Sequence, residues 1–316
     1  MKHIHTDIAI IGGGTAGMSA FRAARRHTDK VLLIEDHHFG TTCARVGCMP
    51  SKLLISAANA RHNAQHSDLF GIRATGVQTD GQAVMQRVKA ERDRFVGFVL
   101  SDINDFPAEC KLLGKATFQD EYTLTVNNHD EITTVHFQRA VIATGSRPAM
   151  VADWLKLGDK LIVNDDVFQW DTLPESVAVF GTGVIGLELG QALHRLGVKV
   201  TLFGHRGNIG SITDPVVLKK AQDIFHNELT IYFDTQNNIS LNNQGKVEIE
   251  FEYNGEKRKI ESDYLLAAIG RTPNTDHIGL ENLNIERNAR GVPIADPLTM
   301  QTSLVHIFIA GDSSAQ

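Results

Sequence analysis

The chain has 316 residues, 42% hydrophobic and 22% charged, with a formal net charge of −6. That length predicts two domains of ordinary size, each with apolar residues enough for a core. The acidic balance gives no reason to expect nucleic acid or an anionic membrane as partner, and no apolar stretch approaches the ~20 residues of a membrane helix.

The first residues, Met1 to Asp7, lack the apolar stretch of a signal peptide. Three cysteines in a chain of this length point to a reducing compartment, with the cytoplasm as the default.

The apolar run Ile8-Ala9-Ile10-Ile11 reads as a buried strand leading into Gly12-Gly13-Gly14-Thr15-Ala16-Gly17. Helical periodicity follows from Met18 to about His27, then a strand Val31-Leu32-Leu33-Ile34 ending at Glu35. This is a strand–helix–strand unit with the G-x-G-x-x-G pattern and a terminal acid. Close approach of a pyrophosphate needs glycines, and the helix N-terminus supplies amide donors. Gly12, Gly14 and Gly17 meet that need, with Glu35 placed for an adenosine ribose hydroxyl. A glycine turn that binds nothing is the plain alternative.

Cys43 and Cys48 come next, in Gly40-Thr41-Thr42-Cys43-Ala44-Arg45-Val46-Gly47-Cys48-Met49-Pro50-Ser51-Lys52. By itself such a pair could be half a metal site, a structural bridge or chance. No second ligand pair is spaced to complete a zinc site. Helices are expected over Ser51 to about Ala64 and Gln82 to about Ile103, the second capped by Thr79 or Asp80. From Lys111 to Phe137 short alternating segments predict an antiparallel meander, with turns at Asp120-Glu121 and Asn127-Asn128. Cys110, at its start, reads as an ordinary buried cysteine. Val141-Ile142-Ala143-Thr144-Gly145 reads as a buried strand ending in a tight turn.

A second unit begins at Val177 and runs through Gly181-Thr182-Gly183-Val184-Ile185-Gly186, a helix to about Leu196 and a strand Val198 to Phe203. Apolar strands running into glycine recur at Leu265 to Gly270 and at Ile307 to Asp312. Two glycine loops of this kind imply two nucleotide sites. Pro148 and Pro273 mark where the chain would leave and re-enter the first domain.

Taken together, these segments resemble the pyridine nucleotide–disulfide oxidoreductases, the family of dihydrolipoamide dehydrogenase, glutathione reductase and mercuric reductase. The resemblance implies an α/β fold of two Rossmann-like dinucleotide-binding domains of the three-layer ββα type, the second inserted into the first. Residues 1–148 and 274–316 would form the FAD-binding domain and 149–273 the NAD(P)-binding domain. It also implies that Cys43 and Cys48 form the redox disulfide, Cys43 exchanging with substrate and Cys48 facing the flavin. Lys52, the backbone near Ala116, Thr144, Gly145, Gly311 and Asp312 would contact FAD, and Glu188 would pair with Lys52. Gly181, Gly183, Gly186 and Gly270 would hold the nicotinamide dinucleotide, NAD or NADP.

In NAD-specific relatives an acid ends the second strand of that unit, where this chain has Gly204, then His205 and Arg206. Losing the acid makes the site permissive for NADP, since Arg206 could bind a 2′-phosphate; the plain alternative is a pair of surface residues. Arg45 and Thr41-Thr42 also depart from the usual pattern, which bears on subfamily rather than chemistry. The function implied is electron transfer between a nicotinamide, FAD and the Cys43–Cys48 disulfide, foremost as a dihydrolipoamide dehydrogenase acting on a small-molecule or lipoyl-domain disulfide. Glutathione- or mercuric-reductase-like activity and a non-catalytic nucleotide-binding fragment are the alternatives. Relatives continue past the Gly-Asp pair into a domain that builds a homodimer and supplies a His-Glu pair. On this resemblance the chain is expected to lack that domain and to turn over poorly.

Overall fold

The computed structural model describes residues 2–128 and 131–314. They form two compact units, one of Met1–Arg45, Arg94–Arg147 and Arg271–Gln316, the other of Val46–Asp93 and Pro148–Gly270. Asn127 and Asn128, expected as a turn, end the strand Thr123–Asn128 instead, and the two residues after them lie outside the described residues, as do Met1, Ala315 and Gln316.

In the first unit the strand Lys2–Ile11 lies between Val31–Glu35 and Glu131–Ile142, parallel to both. Ile10 and Leu33 pack on one face with Met18 and Phe21 of the helix Thr15–Ala24. Ala9, Ile11, Leu32 and Ile34 pack on the other face, with Phe118, Leu124 and Val135. Alternate side chains thus enter two cores, which is why these strands read as unbroken apolar runs.

Other local readings change too. Lys111–Leu113 is a parallel edge strand beside Val31–Glu35, so the antiparallel meander begins only at Lys115. Its third strand and the strand expected at Val141 are one element, Glu131–Ile142, interrupted in the sequence pattern by exposed Gln138 and Arg139. Along one edge this strand pairs antiparallel with Thr123–Asn128 and then parallel with Ile307–Ile309. The first strand also begins earlier than expected, because polar Lys2, His3, His5 and Thr6 hide its pairing with residues 133–137.

In the second unit five parallel strands run in the order Thr230–Phe233, Lys199–Gly204, Ser176–Phe180, Tyr264–Ala267, Leu161–Ile162. Val177, Val179, Val200 and Leu202 face the helices Val184–Arg195 and Cys48–Gln65 through Leu189, Leu193, Leu54 and Ala58. Ala178, Phe180, Phe203 and Leu265 face a three-stranded antiparallel sheet through Ile239, Ile249 and Phe251. Helix, parallel sheet and antiparallel sheet are therefore stacked in three layers around two apolar seams, a mixed α/β architecture with parallel sheets of the Rossmann-like kind.

The helix Cys48–Gln65 opens before Pro50 and takes Cys48 into its first turn. Proline costs nothing there, since the first amides of a helix have no intrahelical partner. Asp80, not Thr79, caps the helix Gly81–Asn104: its Oδ1 accepts from the Ala83 amide at 2.9 Å. No helix among the described residues is long and apolar enough to cross a membrane.

Candidate functional site

In the first glycine loop each glycine does a different job. Gly12 has φ +110°, and a Cβ there would strike the Ala143 carbonyl. A Cβ at Gly17 would strike the Gly12 carbonyl, so this glycine lets the helix lie against the loop. A Cβ at Gly14 would meet nothing within 4 Å. Gly14 is also the N-cap of the helix Thr15–Ala24, which has no side-chain cap and no acid in its first turn. Open space over uncapped amides is the cradle a pyrophosphate needs.

Glu35 stands at the end of the neighbouring strand, and its Oε2 accepts from the Gly13 amide at 2.6 Å. Gly13 was not singled out from sequence, yet a Cβ on it would come within 2.7 Å of the Phe39 ring. Near Gly12, Thr144 Oγ1 is buried without a hydrogen-bond partner. Asn274, another residue the sequence reading missed, donates from Nδ2 to the Thr144 carbonyl at 3.1 Å and from its amide to the Gly145 carbonyl at 2.9 Å. Asp312 accepts from Ser146 Oγ at 3.3 Å, and Gly311, at φ +70°, lies close to Ala16. Ala116 is buried, which leaves only its backbone to reach a ligand. An orphaned hydroxyl, an open cradle and a strand-end carboxylate fit the adenosine diphosphate part of FAD.

Cys43 lies in the short helix Thr42–Val46, held by the Thr41 hydroxyl, which accepts from the Ala44 amide at 3.0 Å. Arg45 turns back to donate to the Phe39 carbonyl at 2.9 Å, its guanidinium against Gly40. In the second unit Cys48 is exposed at the start of its helix, which has no side-chain cap and no acid in the first turn. Cys48 and Cys110 carry thiols. Cys110 is buried, and that burial pushes its pKa up. Among the described residues no group of His, Cys, Asp and Glu is arranged to hold a metal ion.

Lys52, one turn into the same helix, places Nζ 2.6 Å from Glu188 Oε1 on the helix Val184–Arg195. The two helices pack through Leu54 and Ala58 on one side and Ala192 and Leu193 on the other. The pair is partly solvated, with side chains 59% and 34% exposed.

The second glycine loop repeats the first. Gly181 has φ +114° and abuts the Ala268 carbonyl, Gly186 abuts the Gly181 carbonyl, and Gly183 faces open space as an N-cap without side-chain capping. Gly270, at φ +127°, also has open space around it. The structure gives Gly204 a second reason for being glycine. A Cβ there would lie 2.6 Å from the Phe233 ring and 2.8 Å from Thr182 Oγ1, so a side chain could enter only if both of these shifted.

His205 and Arg206 are exposed. Asp234, just past the adjacent strand, was not anticipated: its Oδ1 lies 2.9 Å from His205 Nδ1 and accepts from the Arg206 amide at 2.7 Å. Thr182, inside the glycine loop, donates to the Asn208 carbonyl, and its own carbonyl accepts from the Gly210 amide at 2.8 Å. The cradle and the turn after the second strand are thus tied together. Strand register, not sequence spacing, brings Asp234 here; only the pairing of Gly204 with Phe233 reveals it.

The description "Pyridine nucleotide-disulphide oxidoreductase" belongs to a family model that matches residues 6–315. Dihydrolipoyl dehydrogenase of Geobacillus stearothermophilus is 32% identical over 317 residues, covering 98% of this chain and 65% of that protein. Mercuric reductase of Shigella flexneri is also 32% identical over 317 residues, covering 98% of this chain and 55% of that protein. A solved Cu(II) complex of the C43S mutant of the HOCl-induced flavoprotein disulfide reductase RclA from Escherichia coli superimposes with a TM-score of 0.83 at 22% identity. That match covers 99% of this chain and 67% of the other, and at such identity it speaks for the fold. The chain thus spans 65% of the length of the Geobacillus relative. With a glycine-loop cradle in each unit and a family model matching nearly its whole length, the chain belongs to the pyridine nucleotide-disulphide oxidoreductase family.

Proposed function

We propose that this chain carries the FAD- and NAD(P)-binding domains of a disulfide oxidoreductase whose preferred substrate pair is dihydrolipoamide and lipoamide. The observation that carries the reading is the repeated cradle: two glycine loops, each with an open middle glycine at an uncapped helix N-terminus. The first loop is followed in sequence by Cys43 and Cys48. FAD bound at Gly12, Gly14, Gly17 and Glu35, with the nicotinamide dinucleotide at Gly181, Gly183 and Gly186, would supply two-electron transfer. On this reading the FAD-binding domain is 1–148 with 274–316, and 149–273 is the NAD(P)-binding domain.

The protein's own residues carry the thiol chemistry. A substrate thiolate attacks Cys43 Sγ of the oxidised pair, the sulfur–sulfur bond breaks, and Cys48 leaves as thiolate. The second substrate thiol then attacks the mixed disulfide, releasing the oxidised substrate and leaving both cysteines reduced. With FAD bound, Cys48 would be the thiol that passes electrons on, and the Lys52–Glu188 pair would assist that exchange. Arg45 is pinned to Phe39, so it shapes the loop around Cys43 rather than meeting substrate.

Reconstitution with FAD, followed by turnover assays with dihydrolipoamide, glutathione disulfide and Hg(II), tests the reading against dye reduction. Highest turnover with dihydrolipoamide is expected. Failure to retain any flavin would remove its basis. Mercuric reduction is the second reading, favoured by the 32% identity to the Shigella enzyme, and the Hg(II) assay decides between the two.

A further inference from the structure

We propose that Asp234 is the acidic partner of the adenosine 2′ subsite, and that its charge, set against that of Arg206, makes the site nearly indifferent between NAD and NADP. The inference rests on reading the second glycine loop as a nicotinamide dinucleotide site.

A strand-end acid at Gly204 would have to displace Phe233 and Thr182, which fill the space a side chain would need. The adjacent strand supplies one instead. Gly204 pairs with Phe233, and the Asp234 amide donates to the Gly204 carbonyl at 3.0 Å, which sets Asp234 beside the turn that follows. Its Oδ1 contacts His205 Nδ1 and accepts from the Arg206 amide. Both Arg206 and Asp234 have positive φ, +54° and +56°, a conformation non-glycine residues rarely adopt. The carboxylate therefore holds the turn that displays Arg206, and the same turn is tied through Asn208 and Gly210 to Thr182 of the pyrophosphate loop.

The charges decide the outcome. Arg206 attracts a 2′-phosphate, while Asp234 repels it and can accept from a 2′-hydroxyl. A unit charge removed from within several ångströms of a phosphate dianion shifts affinity roughly tenfold in a near-aqueous dielectric. The two effects oppose each other with similar weight.

The test uses the FAD-loaded protein, with NADP⁺ and NAD⁺ affinities measured by calorimetry so that binding is read apart from turnover. Wild type should bind the two within about tenfold of each other. Asp234→Asn keeps an oxygen for the Arg206 amide and removes the charge, and the ratio should move roughly tenfold toward NADP⁺. Arg206→Gln should move it about as far toward NAD⁺. An unchanged ratio in Asp234→Asn, or an equal loss for both nucleotides, would show that Asp234 only braces the turn and would overturn the proposal. Should Asp234→Asn fail to fold, the Arg206→Gln ratio decides: no shift overturns the charge balance. Wild type binding neither nucleotide would overturn the reading of the loop itself, and this inference with it.

Discussion

Lys52 and Glu188, 136 residues apart in sequence, meet at 2.6 Å across two packed helices. An ion pair this solvated stabilises a fold by less than about 1 kcal/mol. If the pair serves only stability, its removal is nearly silent. If it serves electron transfer, its removal is costly. Glu188→Gln should therefore leave the melting temperature almost unchanged while slowing flavin reduction by the nicotinamide at least about tenfold, a loss of ~1.4 kcal/mol in the transition state. Stopped-flow absorbance beside a thermal melt separates the two effects. An unchanged reduction rate would assign the pair to structure alone.

The glycine loops predict a division between folding and binding. Gly14→Val and Gly183→Val place side chains in open space, so both variants should fold and melt like wild type. Gly14→Val should lose FAD, and Gly183→Val should bind nicotinamide dinucleotides at least about tenfold more weakly, because the pyrophosphate can no longer approach the backbone. Gly17→Ala and Gly186→Ala strike carbonyls of their own loops and should destabilise the fold. Flavin content by absorbance and melting by circular dichroism read both halves of the prediction.

Arg195 and Glu228 form a mostly buried pair, with Gln191 donating to the same carboxylate. Burial raises the Glu228 pKa, but hydrogen bonds from Arg195 and Gln191 outweigh it and leave it lowered. Its contribution to stability is therefore present above the ordinary glutamate range and is lost as pH falls through the lowered value. Nearby His62 also has a lowered pKa, through burial first and Arg195 second. Its contribution is present above about pH 6.5 and is lost as pH falls. Stability should thus decline in two stages on acidification, the first from His62 and the second, below about pH 4.3, from Glu228. Glu228→Gln should cost about 1.5–3 kcal/mol at pH 7 and shrink the second stage, leaving the part that Asp263 and Asp276, whose pKa values are also lowered, contribute. Denaturant titrations at several pH values would show this, and an unchanged second stage in the variant would contradict it.

The cysteines should differ in reactivity. Cys48 is exposed and Cys110 is buried with a raised pKa, so alkylation of the reduced protein should label Cys48 well before Cys110. Timed labelling with mass spectrometry provides the order. Labelling of Cys110 first would mean that its surroundings open in solution.

Much of this site was legible in the chain because glycine loops carry local constraints. Gly12 needs positive φ and Gly17 needs close packing, and both needs act within a few residues. The burial of Val177, Ala178, Val179 and Phe180, alternately into two cores, likewise shows as an apolar run bounded by turns. What sequence concealed depends on register. Gly204 read as a missing acid until Phe233 was seen to fill its side-chain space, and Asp234 had no local signal at all. Gln138 and Arg139 split one long strand into two apparent ones, because an exposed polar pair looks like a turn. The helix expected from Ser51 begins at Cys48, because proline is tolerated within a first turn and Pro50 does not mark its start.

The central claim is that Cys43 and Cys48 form a two-electron store in series with a flavin. Anaerobic titration of the oxidised, FAD-loaded protein with dithionite tests it most directly, by counting electrons per flavin. Wild type should take up four, two by the cysteine pair and two by the flavin, with a long-wavelength absorbance appearing midway as the Cys48 thiolate meets the oxidised ring. Cys43→Ser should show that absorbance without reductant and take up two electrons, and Cys48→Ser should take up two without showing it. Complete bleaching of wild-type flavin after two electrons, with no intermediate absorbance, would contradict the account.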